Sequence, residues 1–304
     1  MKLAVIDLGT NTCNLLIAET DQHSYSLLHQ GKTGVKLGKD GINKNLLTHE
    51  AFERATQALK KHLETISLFA VDKVVAVATS AVRDAANKSD FEAHLLRETG
   101  LKLKIISGER EAELIFKGVK LAFNKLPDQT LIMDIGGGSN EFIETKNDQI
   151  FHKESFPLGM ARVLNHLPVS DPLSPNEAKA IESWFDTGMQ SLWKRLKGKQ
   201  ISQLIGCSGA FDTVADLIDG TAPGAKIRRH QLIELKDFNR ISRETIYSTK
   251  AQRDQMTGME PLRVEMIVPA LILIRLVVQK LGINKIIQTD YALREGILFE
   301  WIYD

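Results

Sequence analysis

The sequence predicts an α/β protein made of two duplicated units, each a mixed sheet with helices packed on it. Two observations carry this. The first is a repeat. Ala4-Val5-Ile6-Asp7-Leu8-Gly9-Thr10-Asn11 is an apolar run closed by an acid and a small-residue turn, and Leu131-Ile132-Met133-Asp134-Ile135-Gly136-Gly137-Gly138 is built the same way 127 positions later. In that register Leu15-Leu16 falls on Phe142-Ile143, and Asp21-Gln22 falls on Asp148-Gln149. At an offset of 128, Thr79-Ser80-Ala81 falls on Cys207-Ser208-Gly209. Several matches near one register point to duplication of about half the chain. The second observation is element order: three β segments, then alternating helix and strand, twice over.

In the first unit Lys2–Ile6 reads as a strand, and Asn14–Glu19 with Ser24–His29 as a hairpin around Asp21-Gln22. Phe52, Ala55, Leu59, Leu63 and Ile66 set a helix over Thr48–Ala70. Val74–Ala78 is a strand. Ser89 with Glu92 predicts a capping box for a helix that Gly100 stops. Lys102–Ile106 is a strand and Glu109–Phe123 a helix. The second unit opens with β segments at Thr130–Met133, Glu141–Glu144 and Gln149–Glu154. Ser174-Pro175-Asn176-Glu177 then opens a helix to Lys197. Ile201–Ile205 is a strand, Glu260–Leu281 a largely apolar helix, Lys285–Gln288 the last strand and Tyr291–Ile302 a closing helix. The polar stretch Asn124–Gln129 marks the boundary, giving domains 1–124 and 125–304.

Composition sets the class. The 304 residues are 43% hydrophobic and 25% charged, as in ordinary globular proteins. With 39 basic and 38 acidic residues the net charge is +1, which excludes a nucleic-acid binder held by bulk charge. Cys13 and Cys207 are too few for a disulfide framework or a four-ligand zinc site, and they fit a reducing compartment. The longest apolar run, Ile267 to Val278, is interrupted by Pro269 and Arg275 and falls short of the roughly 20 residues that span a bilayer. Asp7 comes too early for a signal peptide. A cytoplasmic protein with no membrane and no nucleic-acid partner is expected.

The two turns after Asp7 and Asp134 are the strongest chemical features. Gly9, Thr10 and Asn11 in one, and Gly136, Gly137, Gly138 and Ser139 in the other, can turn successive backbone N–H groups inward as an anion nest. A strand-terminal aspartate can hold a divalent cation beside a bound phosphate, which makes Asp7 and Asp134 candidate metal acids. A plain tight hairpin needs the same small residues; two related turns, each with a terminal Asp, favour the phosphate reading. Gly34-Val35-Lys36-Leu37-Gly38-Lys39-Asp40 has the wrong spacing for a P-loop. No histidine lies in either turn. Ser80 and Arg83 supply a hydroxyl and a guanidinium at a strand-to-helix turn, where Arg83 suits a phosphate or simply pairs with Asp84. Ser208 and Gly209 make a further small-residue turn before a helix. Glu109, Glu111 and Glu113 at a helix start either complement the dipole or include a working acid. Cys13 and Cys207 fit small buried positions. Lys226, Arg228, Arg229, Lys236, Arg240 and Arg243 crowd 18 positions against only Glu234 and Asp237. That is a polyanion path or a solvated face.

These stretches resemble the exopolyphosphatase / guanosine pentaphosphate phosphohydrolase (Ppx/GppA) family of the actin–Hsp70–sugar kinase superfamily. The resemblance rests on Ala4–Asn11, Ala78–Ala85, Ile105–Gly108 through Glu111-Ala112, Asp134–Ser139, Gly206–Gly209 and Ala292–Gly296, in family order. It implies two ribonuclease-H-like domains around a cleft. It implies hydrolysis of the terminal phosphoanhydride of inorganic polyphosphate, with guanosine pentaphosphate as the alternative substrate. It matches Glu111 to the family's general base, Asp134 and Glu141 to the acids associated with Mg²⁺ or another divalent ion, Arg83 to a phosphate-binding Arg, and Gly136–Ser139 and Ser208-Gly209 to phosphate loops. A homodimer is also implied. Glu111 argues against a third reading, a non-hydrolytic nucleotide-binding or kinase-like module, which needs no water-activating base. Arg228 and Arg229 are then candidates for the polymer path. Departures are Cys13-Asn14 for an aromatic and a His, Arg110 for an acid, Ala210 for Thr, Tyr291 for a small residue, and no helical C-terminal domains after Asp304.

Overall fold

The structure is a computed structural model describing residues 1–21 and 24–303. Gln22 of the expected turn lies outside the described residues. The chain divides into two units, Met1–Leu121 with Leu293–Asp304, and Ala122–Ala292.

The first unit runs β1 (Lys2–Leu8), β2 (Thr12–Thr20), β3 (Tyr25–Gly34), α1 (His49–Ser67), β4 (Lys73–Ala78), α2 (Ser80–Arg83), α3 (Lys88–Thr99), β5 (Lys104–Ile105) and α4 (Gly108–Ala122). Its sheet has the order β3-β2-β1-β4-β5. The central β1 is buried along most of its length, as a strand covered on both faces should be. The edge strand β3 alternates half-buried and exposed residues, since only one face is covered. Ile6, Leu15 and Ile17 pack with Ala51, Ala55 and Leu59 of α1. Burying each of the larger side chains contributes about 1.5–3 kcal/mol.

The second unit runs β6 (Thr130–Ile135), β7 (Asn140–Lys146), β8 (Gln149–Phe156), α5 (Met160–His166), α6 (Pro175–Gly188), α7 (Gln190–Leu196), β9 (Gln203–Cys207), α8 (Gly209–Asp219), β10 (Gln231–Ile233), α9 (Leu235–Ile246), α10 (Lys250–Asp254), α11 (Ile267–Leu281) and β11 (Lys285–Thr289). Its order is β10-β11-β9-β6-β7-β8. Strands β6, β7, β8 and β9 repeat the pairing of β1, β2, β3 and β4, so the duplication read from the sequence is present in the sheets.

Four expectations change. The closing helix, α12 (Leu293–Tyr303), belongs to the first unit and not the second. Its Glu300 takes ion pairs from Arg110 and Lys117, the latter at 2.7 Å. A Cβ on Gly296 would strike the backbone of Leu114, so α12 lies directly on α4. Second, α3 begins at Lys88 after Asn87, and the Ser89–Glu92 box does not form. Asn87 instead exchanges hydrogen bonds with the backbone of Leu47, at 2.8 and 3.0 Å. Third, the helix expected from Ser174 to Lys197 breaks at Met189 into α6 and α7, although the Ser174–Glu177 capping box forms as expected. Fourth, α11 starts at Ile267, leaving residues 261–266 as turns.

Candidate active site

The two hairpins carry the same local design. Asp7 stands opposite Asn14 across β1 and β2, and Asp134 stands opposite Glu141 across β6 and β7. Each turn closes with one equivalent bond: Gly9 N–H to Thr12 O at 2.9 Å, and Gly136 N–H to Ser139 O at 3.0 Å. The offset of 127 is therefore structural. The offset of 128 is not. Strand β4 sets Val77 beside Asp7 while β9 sets Cys207 beside Asp134, so Val77 and not Thr79 corresponds to Cys207. Ser80 and Ser208 accordingly do not occupy equivalent places.

In the second-unit turn, backbone carbonyls are consumed on one side. Gly159, Met160 and Ala161 donate to Gly138, Gly136 and Gly137 at 3.2, 3.0 and 2.8 Å, and Arg162 Nε donates to Gly138 at 2.9 Å. A Cβ on Gly159 would lie 2.4 Å from Gly137, so only glycine lets α5 approach this closely. Among the described residues, the N–H groups of Gly137, Gly138 and Ser139 have no protein acceptor. Consecutive donors of this kind can receive an anion.

Asp134 and Glu141 are 6% and 1% exposed. Ser208 Oγ donates to Asp134 Oδ2 at 2.6 Å, and Ser155 Oγ donates to Glu141 Oε1 at 2.7 Å. These two adjacent carboxylates form a hard-oxygen donor set that suits Mg²⁺, which completes its shell with water and substrate oxygens. Among the described residues no group of three His, Cys, Asp or Glu could hold a metal by itself. In the first unit the partner of Asp7 is a donor: Asn14 Nδ2 lies 3.1 Å from Asp7 Oδ2. Burial pushes the Asp7 carboxyl up, and Asn14 and Arg294 work against it. The paired oxygens a divalent ion needs thus stand in the second unit.

The three acids opening α4 separate by environment. Glu109 is exposed and Glu113 pairs with Arg110 at 3.1 Å. Glu111 is buried, and its Oε2 lies 2.8 Å from Arg83 Nη1. Arg83 also reaches Asp84 at 3.3 Å and the Ile106 carbonyl at 3.4 Å. Of the two readings of Arg83, the ion pair with Asp84 is present, and the same guanidinium also pairs with Glu111. Ser80 Oγ donates to Asp84 at 3.2 Å.

Ser208 holds φ 67° and ψ 170°, a region almost confined to glycine. This strained link between β9 and α8 aims its hydroxyl at Asp134. The next residue is Gly209 for a visible reason: a Cβ there would lie 1.8 Å from Nη2 of Arg263. Cys13 and Cys207 are both fully buried. Burial first, then Asp134 and Asp212, push the Cys207 thiol well up, so it is a weak nucleophile.

Arg228 departs from the expected polymer path. Its side chain is 5% exposed and lies 2.9 Å from both Asp216 and Asp219, with Nε donating to Gln231 at 2.6 Å. It anchors α8 to the segment before β10 and cannot meet a polymer in solution. Arg229 is exposed.

Arg263 is a site residue that the sequence pattern hides within an apolar helix expected over Glu260–Leu281. It lies on the turns before α11, half-buried against Gly209. Burial lowers its pKa against the opposing charges of Asp212, Glu260 and Asp134. Among the described residues its guanidinium makes no hydrogen bond or ion pair, so an incoming anion can use it. Pro261 two positions earlier was the sign that the helix starts later. Beyond it Gln288 Nε2 donates to Asp212 at 3.0 Å and to Asp290 at 2.6 Å. Burial and then Asp212 push Asp290 up to about 6, against hydrogen bonds from Arg228 N–H and Gln288. Among the described residues no helix is long and apolar enough to cross a membrane.

The description "Ppx/GppA phosphatase family" matches residues 16–304. A bifunctional 3-dehydroquinate synthase/phosphatase of Fusobacterium nucleatum is 29% identical over 98% of this chain, which spans about half, 46%, of that relative's length. A crystal structure of an exopolyphosphatase from Cytophaga hutchinsonii is 37% identical, covers 99% of this chain and 98% of its own, and aligns with a TM-score of 0.94. The Aquifex aeolicus PPX-GPPA enzyme shares the fold at 23% identity, with 99% of each chain covered and a TM-score of 0.81. The architecture is α/β, with two duplicated units of the ribonuclease-H-like kind found in the actin superfamily. A match from Leu16 to the end of the chain, on a fold shared over nearly all its length with the Cytophaga protein, makes this chain a member of the Ppx/GppA phosphatase family.

Proposed function

We propose that the chain is an exopolyphosphatase, which hydrolyses the terminal phosphoanhydride of inorganic polyphosphate. The observation that carries this reading is the buried Glu111 carboxylate held 2.8 Å from Arg83 at the start of α4. A kinase of this fold needs no carboxylate to activate water. The 37% identity to a protein described as an exopolyphosphatase supports polyphosphate over other phosphoanhydrides.

Glu111 takes a proton from water as the water oxygen attacks the terminal phosphorus in line. The bond from that phosphorus to the bridging oxygen breaks, and its electron pair stays on the shortened chain. A phosphate is a good leaving group, so positioning and charge neutralisation matter more than a strong acid. Arg83 holds Glu111 in place and offers its remaining N–H groups to phosphate oxygens. The N–H groups of Gly137, Gly138 and Ser139 and the Arg263 guanidinium bind further oxygens. Asp134 and Glu141 would hold Mg²⁺, which supplies charge neutralisation at the phosphoryl oxygens when bound. Ser208 and Ser155 orient those two carboxylates. The exposed Arg229 remains in the polymer-path proposal.

A phosphate-release assay on short polyphosphate, long polyphosphate and guanosine pentaphosphate, with Mg²⁺ present, tests the reading. Turnover of polyphosphate above that of guanosine pentaphosphate supports it. Preference for guanosine pentaphosphate reassigns the substrate, and release from none of the three removes the function.

A further inference from the structure

We propose that Lys36 and Lys39 form a phosphate-binding site beside the first-unit turn, where they hold inner phosphates of a condensed phosphate chain. The ligand class rests on the polyphosphate reading above. The segment is Gly34-Val35-Lys36-Leu37-Gly38-Lys39-Asp40, whose spacing rules out a P-loop. The fold gives it another place. It leaves β3 and packs onto the turn of Gly9, Thr10 and Asn11. The N–H groups of Val35 and Lys36 both donate to Asn11 O, at 2.9 and 3.1 Å, and Gly38 N–H donates to Thr10 O at 3.3 Å. A Cβ on Gly38 would lie 2.9 Å from Thr10 Cγ2, so a glycine lets the loop lie this close.

Hydrogen bonds here occupy the acceptors and leave donors. Arg54 Nε donates to Val35 O at 2.7 Å, and Arg54 Nη2 donates to Lys36 O at 2.8 Å. Lys36 O also accepts from Lys39 N–H at 3.1 Å. The carbonyls of Thr10, Asn11, Val35 and Lys36 are thus all engaged. Thr10 is 4% exposed, and among the described residues its N–H and its hydroxyl have no hydrogen-bond partner. Lys36 and Lys39 are exposed, and among the described residues neither ammonium makes an ion pair or a hydrogen bond. Asp40 is the one acid in the segment. Two cations, a hydroxyl and an N–H, beside carbonyls already committed to other donors, present a surface for an anion.

Two further observations separate this site from an ordinary solvated loop. Lys36 has φ 43°, in the left-handed region that glycine adopts freely and a lysine rarely does. Backbone strain of this kind persists where the surroundings enforce it, and it gathers at ligand clamps. Here the enforcing contacts are the bonds to Asn11 and Arg54, and the tight turn from Lys36 O to Lys39 N–H places both lysines on one short loop. The second observation is the other copy of the hairpin. Gly159 N–H donates to Gly138 O at 3.2 Å, as Val35 N–H donates to Asn11 O 127 positions before that acceptor. Residues 157–161, which make this contact, carry no charge. The shared hairpin design therefore does not require lysines at this place.

The test is calorimetric binding of long-chain inorganic polyphosphate to the full chain in excess chelator, at low and high salt. Circular dichroism and thermal unfolding show whether each variant is folded. Lys36→Gln with Lys39→Gln should weaken binding about tenfold at low salt, the scale of two exposed ion pairs. The difference should shrink as salt is added. Lys44→Gln with Lys61→Gln removes the same charge from exposed lysines of the same unit and should bind nearly like the parent. Lys36→Gly removes the strain together with the charge, so it should unfold at or above the parent's temperature and still bind more weakly. Should the Lys36 and Lys39 double variant not fold, Lys39→Gln alone carries the comparison. The proposal fails if the parent binds no polyphosphate, if the folded double variant binds like the parent, or if the Lys44 and Lys61 pair weakens binding as much. Phosphate release is measured separately. A parent that binds through Lys36 and Lys39 but releases no phosphate keeps this site and removes the exopolyphosphatase reading. A parent that releases phosphate, with binding unchanged in the double variant, does the reverse.

Discussion

Arg83 Nη1 lies 2.8 Å from Glu111 Oε2, with side chains 19% and 11% exposed. The two residues are 28 positions apart and come from different strand-to-helix junctions, yet they form one charged pair. Arg83→Ala should leave Glu111 without this partner and lower kcat by roughly 10²–10³, the range for losing one donor to developing charge. It should also cost a few kcal/mol of stability, as removing one partner of a mostly buried pair does. Arg83→Lys should recover part of the stability and little of the turnover, because an ammonium cannot reach Glu111, Asp84 and the Ile106 carbonyl together. Steady-state phosphate release and urea denaturation check both halves.

Arg228 is a structural residue by the same criterion. Burial raises the Asp219 carboxyl, but hydrogen bonds with Lys226, Arg228 and Gln231 outweigh it and hold the group down at about 2. A carboxyl depressed in the folded state adds stability above its unfolded value near 4, and that stability is lost as pH falls from about 4 to 2. Thermal midpoints of the parent should drop across that window. Arg228→Met should lower stability by about 3–5 kcal/mol at pH 7 and flatten the drop. A variant as stable as the parent would refute the anchoring role.

Arg229 tests the polymer path by itself. Arg229→Ala should raise KM for long polyphosphate more than for short chains, with kcat nearly unchanged. The difference should shrink as added salt shortens the Debye length from about 10 Å at 0.1 M. Equal KM changes for long and short chains would make Arg229 an ordinary solvated residue.

Ser208 combines backbone strain with a hydroxyl bound to Asp134. Ser208→Gly relieves a conformation that costs about 1–3 kcal/mol, so its unfolding temperature should equal or exceed the parent's. Ser208→Ala keeps the strain and loses the hydrogen bond, so it should be less stable by about 1 kcal/mol. Both should need more Mg²⁺ for half-maximal activity, because Asp134 loses its orienting donor. A calorimetric scan and a Mg²⁺ titration separate these outcomes.

The paired hairpins were legible because a period-two strand, a terminal acid and a small-residue turn are local features, and the copies kept their spacing. Asp7 with Asn14 and Asp134 with Glu141 could be aligned from numbering alone. The second half of the repeat was misaligned by two positions, since Ser80 and Ser208 look alike while strand register, a long-range property, equates Val77 with Cys207. The buried state of Arg228 had a sign that was not used: Asp216 and Asp219 are three apart on one helix just upstream. The placement of α12 had none, because its ion pairs from Arg110 and Lys117 to Glu300 span more than 180 positions. Arg263 was hidden by the apolar run that follows it. The Gln288 amide nitrogen joins two acids 78 positions apart, Asp212 and Asp290, which could not be read from sequence.

The most direct test of the account is phosphate release from polyphosphate by Glu111→Gln. The substitution keeps the shape of the side chain and its contact with Arg83 but removes the proton acceptor. A folded variant, verified by circular dichroism and an unfolding temperature near the parent's, should lose about 10²–10⁴ in kcat with KM little changed. Glu109→Gln, at the exposed neighbour, should retain most activity. Parent-like turnover by a folded Glu111→Gln protein would contradict the assignment of Glu111 as the base.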